Sequence, residues 1–279
     1  AHPVLRDHTF DKQTPVLPLS AAIGWCANNL EGMDGGRTVV EVRDFTIGRG
    51  VVFDGSEQDR FELRATPAGD DWIDVAIHSH RDAEPAVLRY QGSFRMAAEP
   101  APAPRLEGLD AHELPPFEPH PYYAEGLFFH GPTLTGIGPE LAAGPGRVVA
   151  LARLAAPSLL GCSGRQYNGA AADLLPQGAL LLGRRLTGRR SLPMKVDAVE
   201  VFAALPDDEP FLIVAELDEQ RALDNRYTVS ACAPDGRVLQ RWKGLVMLNL
   251  TPEMLADNRW APFHTLVEQD LPVGAVNRA

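Results

Sequence analysis

The chain has 279 residues, 45% of them hydrophobic, with 24 prolines and 25 glycines, a composition that allows a buried core and favours many strands and turns over long helices. Its 26 basic and 37 acidic residues give a net charge of −11, which repels a phosphate backbone and argues against nucleic acid as a general partner. No apolar run approaches the roughly 20 residues that span a bilayer, and Cys26, Cys162 and Cys232 are too few and too scattered for a disulfide framework or a CxxC metal knuckle. The expectation is an α+β protein of a reducing, cytoplasmic compartment, with its cysteines as small buried apolar side chains. The opening AHPVLRDH has no initiator methionine and no signal-peptide pattern, which reads as a piece of a larger polypeptide.

After a short strand-like opening, PLSAAIGWCANNLEGM predicts a helix capped by Ser20, carrying Ile23, Trp25, Cys26 and Leu30, and stopped at Gly32. Five strand patterns follow: RTVVEVRDF, IGRGVVFDG, DRFELRAT, WIDVAIHS and AVLRYQGSFRM. The proline-rich segment between Met96 and Tyr122 is biased to extended geometry and reads as a linker. It divides the chain into units at 1–97 and 122–279, with the linker at 98–121.

Beyond it, GRVVALARLA predicts a strand and DLLPQGALLLGRRL a helix. PMKVDAVEVFAAL, FLIVAELDE, RYTVSACAPDG and RVLQRWKGLVMLNL then predict strands, with a hairpin turn at Pro234-Asp235-Gly236. Two copies of a helix wrapped by an antiparallel sheet fit this order, as does an ordinary α+β domain.

Asp173 heads the second helix, where its carboxylate is placed to cap free N–H groups, and Gln177 lies one turn on along the same face. If that helix start faces the amino-terminal segment bearing His8, an imidazole and a carboxylate share one cleft. Such a pair suits loss of water from a β-hydroxyacyl thioester, which needs a base for the α-proton and an acid for the departing oxygen. For Asp173 to hold that proton, a dry setting of Ala170 to Ala172, Leu174 and Leu175 would have to raise its pKa.

Four stretches resemble the dehydratase domains of modular and iterative polyketide synthases and of polyunsaturated fatty acid synthases. HPVLRDHTFDKQTPVLP is similar to the family's HxxxGxxxxP motif, and YAEGLFFHGPTLTGI to its YxxGxxxGPxFQG region. DLLPQGALLLGRRLTGRRSLP resembles the DxxxQ motif, and APDGRVLQRWKGLVM the closing hairpin. There are departures: Lys12 stands at the glycine position, the proline comes one residue late at Pro18, and Leu134-Thr135 replaces Phe-Gln.

The resemblance implies a double hotdog, two long helices each wrapped by an antiparallel sheet. It implies His8 as general base, Asp173 as acid and Gln177 as the residue that orients Asp173. Tyr123, Gly131, Pro132 and Pro18 would stand near the substrate, with the Gly131 N–H polarising the thioester carbonyl. No cofactor is implied; the substrate would arrive on the phosphopantetheine arm of an acyl carrier protein, among neighbouring domains of a megasynthase and in a homodimer. A noncatalytic pseudo-dehydratase and a product-template cyclase are alternatives on the same fold.

Arg184, Arg185, Arg189 and Arg190 form a basic cluster on an acidic chain, suited either to docking an acidic carrier protein or to a solvated helix end. His78 and His80 share one strand face without an evident third ligand, so no metal is expected from spacing. His130, beside Gly131, reads as a space-filling histidine at the edge of the cleft, with contact to the tunnel as the alternative. GRG at 48–50 lacks the context for nucleotide binding, and Ser163 in GCSGRQ lacks the strained GxSxG elbow of a hydrolase.

Overall fold

A computed structural model describes residues 3–9, 15–53, 60–80, 85–109, 113–155, 161–251 and 254. The opening is a short helix, α1 (Pro3–Asp7), where a strand-like segment is predicted. Helix α2 (Leu19–Asp34) is followed by strands β1 (Thr38–Ile47), β2 (Arg60–Gly69), β3 (Trp72–His80) and β4 (Val87–Ala97). After the one-turn helix α3 (Pro121–Ala124) come β5 (Ile137–Gly144) and β6 (Arg147–Ala152). Helix α4 (Leu174–Thr187) then precedes β7 (Ser191–Val201), β8 (Phe211–Gln220), β9 (Asp224–Cys232) and β10 (Val238–Asn249).

The ten strands form one sheet in the order β2-β3-β4-β1-β7-β10-β9-β8-β6-β5. Every neighbouring pair is antiparallel. The first four strands in that order come from the amino-terminal part and the other six from the carboxyl-terminal part. The parts join where Glu41, Val42 and Arg43 of β1 pair with Glu200, Val199 and Ala198 of β7. IGRGVVFDG, predicted as a strand, gives its Ile47 to the end of β1 and beyond that a single bridge between Val52 and Val16 among its described residues; two glycines in four residues supply little side chain to pack on a sheet.

Helix α4 packs on β8, β9 and β6, and α2 on β1. Leu174 through Gly183 are all buried, so α4 is enclosed around its whole circumference. The period-2 pleat gives the carboxyl-terminal strands two apolar faces. Val148, Ala150, Phe211 and Ile213 join the core that contains α4, whereas Val149, Leu151, Leu212 and Val214 line a second cluster. The proline-rich segment covers that second face: Leu106, Leu114 and Phe117 pack on it, and Val238 N–H donates to the Pro104 carbonyl at 2.8 Å. What reads as a linker is therefore docked on the sheet along part of its length.

Two helix termini differ from expectation. Pro18 holds the N-cap position of α2, and its carbonyl accepts from Ala22 N–H at 3.0 Å. Ser20 is a buried residue of the first turn instead of the cap. The helix runs past Gly32 and ends at Gly35, whose φ of 74° is the left-handed geometry that closes a helix. In the second part, Asp173 holds the N-cap position of α4 but makes no side-chain capping bond; its carboxylate is used elsewhere.

Candidate active site

The segment bearing His8 is pinned from two sides. Val16 N–H donates to the His8 carbonyl at 2.9 Å, and His8 forms an antiparallel bridge with His130. Next to it, Asp7 grips the 130–133 turn: its carbonyl accepts from Gly131 N–H and its Oδ2 from Thr133 N–H, both at 2.7 Å. A Cβ on Gly131 would lie 2.7 Å from the Asp7 carboxyl carbon, so only glycine permits this approach. The His8 Nδ1 lies 2.9 Å from the Val16 carbonyl. A carbonyl only accepts, so Nδ1 carries the hydrogen and Nε2 keeps its lone pair.

Asp173 arrives from the opposite side through a tight backbone contact. Cβ atoms on Gly24 and Gly169 would lie 2.1 Å and 2.6 Å from the Cys162 carbonyl oxygen. Glycine at both positions lets the 161–170 loop lie against α2 and sets the start of α4 beside Ser20. Ser20 Oγ donates to Asp173 Oδ1 at 3.0 Å, a contact between residues 153 positions apart. Oδ2 accepts from Gln177 Nε2 at 3.0 Å and lies 3.2 Å from His130 Nε2.

Gln177 is fully committed. Its amide also donates to the Leu134 carbonyl at 3.1 Å, and its Oε1 accepts from the Tyr123 hydroxyl. That hydroxyl in turn accepts from the N–H groups of Gly136 and Ile137. All of Asp173, Gln177, His8 and His130 are buried. The histidine rings are 5.3 Å apart between centroids, and Phe129 stacks on His130 at 4.2 Å. One ligand-capable atom from each of His8, His130 and Asp173 lies within 4.8 Å of the others. Beside His8, a narrow cavity is lined by Leu19, Ile47, Tyr90, Phe129 and Leu192, drawn from both parts of the chain.

Burial lowers the His8 pKa from 6.5 to about 4; the Asp173 carboxylate opposes this and His130 adds to it. His8 is thus a neutral imidazole at physiological pH. For Asp173, burial pushes upward, but the hydrogen bond and charge of His130, the charge of His8 and the Gln177 amide outweigh it and hold the pKa at about 2. The sequence-based expectation of a proton held on Asp173 by dry surroundings is overturned, because the setting is dry yet rich in donors.

The structure brings His8, Asp173, Gln177 and Tyr123 into one network. Tyr123 is engaged with Gln177 and backbone, and burial raises its pKa. Three other expectations change. The Gly131 N–H is occupied by the Asp7 carbonyl. Pro132 is itself exposed, at the start of a one-turn helix at 132–134 whose Leu134 is buried. Pro18 is a buried helix start rather than a lining residue of the His8 cavity. Lys12 and its neighbours at 10–14 lie outside the described residues. His130, expected to fill space at the edge of the cleft with contact to the tunnel as the alternative, and Ser20, expected to cap α2, both meet Asp173. For His130 the signal was its place in the HGP turn of a recognised motif.

Solved structures with this architecture carry a consistent description. The inactive mutant of the CurJ dehydratase in complex with a small compound aligns with a TM-score of 0.72 at 14% identity, covering 91% of this chain and 89% of that one. The dehydratase domain of a trans-AT polyketide synthase from Brevibacillus brevis gives 0.70 at 18%, covering 90% and 91%. A dehydratase domain of a mycocerosic acid synthase-like polyketide synthase gives 0.69 at 18%, covering 88% and 87%. The chain has the dehydratase-domain fold. It is also 26% identical over 220 residues to one component polypeptide of the polyunsaturated fatty acid synthase of Thraustochytrium sp. (strain ATCC 26185 / S-3). That match covers 75% of this chain and 8% of the relative, so the chain spans a small fraction of the curated protein it resembles. No protein-family model matches the chain. Among the described residues, no helix is long and apolar enough to cross a membrane.

Proposed function

We propose that the chain is a dehydratase domain of a polyketide or polyunsaturated fatty acid synthase, built as a double hotdog around α2 and α4. It eliminates water from a 3-hydroxyacyl thioester to give a 2-enoyl thioester. The observation that carries this reading is the convergence of His8 and Asp173 in one buried cleft, within a fold that solved dehydratase domains share.

The state of the two groups assigns the proton transfers. His8 Nε2 takes the α-proton, and the resulting imidazolium is stabilised by the nearby Asp173 carboxylate. Asp173 accepts a hydrogen bond from the substrate 3-hydroxyl. It then relays the proton gained by His8 to the departing oxygen as the C–O bond breaks. One C–H and one C–O bond are exchanged for a C=C bond and a water, and both residues return to their starting charge. Asp173 is still the group that protonates the leaving oxygen, but its proton comes from His8. Gln177, Ser20 and His130 hold the carboxylate in place, and Tyr123 holds Gln177.

The substrate is delivered on the phosphopantetheine arm of an acyl carrier protein. Arg184 and Arg189, at the carboxyl end of α4, supply positive charge for an acidic partner. Incubating the protein with a 3-hydroxyacyl pantetheine thioester and following the enoyl product by mass spectrometry tests the assignment. Enoyl product that requires His8 and Asp173 supports dehydration. No conversion by the folded wild type supports the noncatalytic alternative. Cyclised product from a polyketone thioester, without dehydration of the hydroxyacyl compound, supports the cyclase.

A further inference from the structure

We propose that His8, His130 and Asp173 form a binding site for a divalent ion of the zinc class, and that its occupancy switches off the acid–base chemistry. The three residues are buried, and each offers one ligand atom within 4.8 Å of the others. Tetrahedral zinc with bonds of about 2.0–2.2 Å places its ligand atoms roughly 3.3 Å apart. His130 Nε2 and Asp173 Oδ2 are already 3.2 Å apart. Ligand atoms within 4.8 Å of one another exceed that spacing by about 1.5 Å at most, a gap that small side-chain shifts close.

The supporting contacts suit metal ligation. His8 Nδ1 is held by the Val16 carbonyl, which fixes the tautomer with Nε2 free to coordinate. Asp173 is oriented by Ser20 on one oxygen and Gln177 on the other. His130 Nδ1 is buried and meets no hydrogen-bond partner among the described residues. Ligation through Nε2 moves the ring hydrogen to Nδ1 and exchanges the His130–Asp173 hydrogen bond for bonds from both residues to the ion. Two imidazoles and one carboxylate favour zinc, cobalt or nickel over magnesium or calcium, and three protein ligands leave a position open toward the cleft.

Ligation would engage the lone pair of His8 Nε2 and an oxygen of Asp173, the atoms the elimination needs. This inhibitory consequence rests on the dehydratase reading; the binding itself does not.

The test uses chelator-treated protein titrated with zinc chloride by calorimetry, with magnesium chloride in parallel and cobalt(II) absorption as a coordination readout. The expected result is one zinc per chain, no magnesium heat, and at least roughly tenfold weaker zinc binding in both His130→Phe and Asp173→Asn. His80→Ala, at the end of β3 where half-buried His80 pairs with Glu62, leaves the affinity unchanged. Melting temperature checks that each variant is folded, and His130→Gln replaces His130→Phe if the latter is not. Wild type that binds no zinc, or zinc affinity unchanged in the folded cluster variants, overturns the site. Zinc bound at the cluster without inhibition of a turning-over enzyme overturns the switch. Zinc bound by a wild type that never dehydrates the thioester upholds the site and defeats the dehydratase reading instead.

Discussion

Acidification should destabilise this protein through His8 in a narrow window. The side chain is buried and its pKa falls from 6.5 to about 4 on folding. Between those values the unfolded chain binds a proton at this position and the folded chain does not, so stability declines as pH falls from about 6.5 and levels off below about 4. The interval corresponds to roughly 3 kcal/mol, a large share of the 5–15 kcal/mol typical of a folded protein. Asp173 titrates below this window, at about 2, and contributes stability that is lost only under stronger acid. The comparison is wild type against His8→Asn, whose amide can still donate to the Val16 carbonyl. Urea unfolding followed by circular dichroism at pH 7, 6, 5 and 4 gives both stability curves. Wild type should lose about 3 kcal/mol more than His8→Asn across the window. Parallel curves would refute the buried, neutral imidazole.

Other predictions address chemistry, packing and docking. The kcat/KM of the wild type should fall on the acid side with a midpoint near pH 4, set by free-enzyme His8. It should show no alkaline fall near neutrality, because Asp173 starts ionised; a bell with an alkaline limb near pH 7 would show that a proton must reside on the carboxylate. Gly24→Ala places a methyl 2.1 Å from the Cys162 carbonyl oxygen and should cost about 1–3 kcal/mol or more, read as a lower melting temperature, since backbone must shift. Arg189→Glu should lower kcat/KM severalfold for a carrier-protein substrate in low salt while leaving the free pantetheine thioester unaffected. An equal loss on both substrates would contradict docking at this end of α4.

The strands were legible where short apolar or alternating runs were bounded by turn residues. FLIVAELDE and RYTVSACAPDG became β8 and β9, and the Pro234-Asp235-Gly236 turn holds Gly236 at a φ of 84° between β9 and β10. β5 went unread because GPELAAG carries little alternation, and its place is set by pairing with β6. The site was legible as residue types in a recognised order. What sequence could not supply was environment. Asp173 stands at a helix start, so capping is its natural local role, yet Ser20, Gln177 and His130 converge on it from distant parts of the chain. Those donors reverse the expected direction of its pKa. The Gly131 N–H looked available for a carbonyl until folding brought the Asp7 backbone against it.

The most direct test of the account is single-turnover dehydration of a 3-hydroxyacyl pantetheine thioester by wild type, His8→Ala, Asp173→Asn and the double variant, each verified as folded. Since the two side chains act on one shared proton, each single substitution should slow turnover by about 10²–10⁴-fold and the double variant by little more than the worse single. Near-wild-type turnover in either single variant, or losses that multiply in the double, would contradict it.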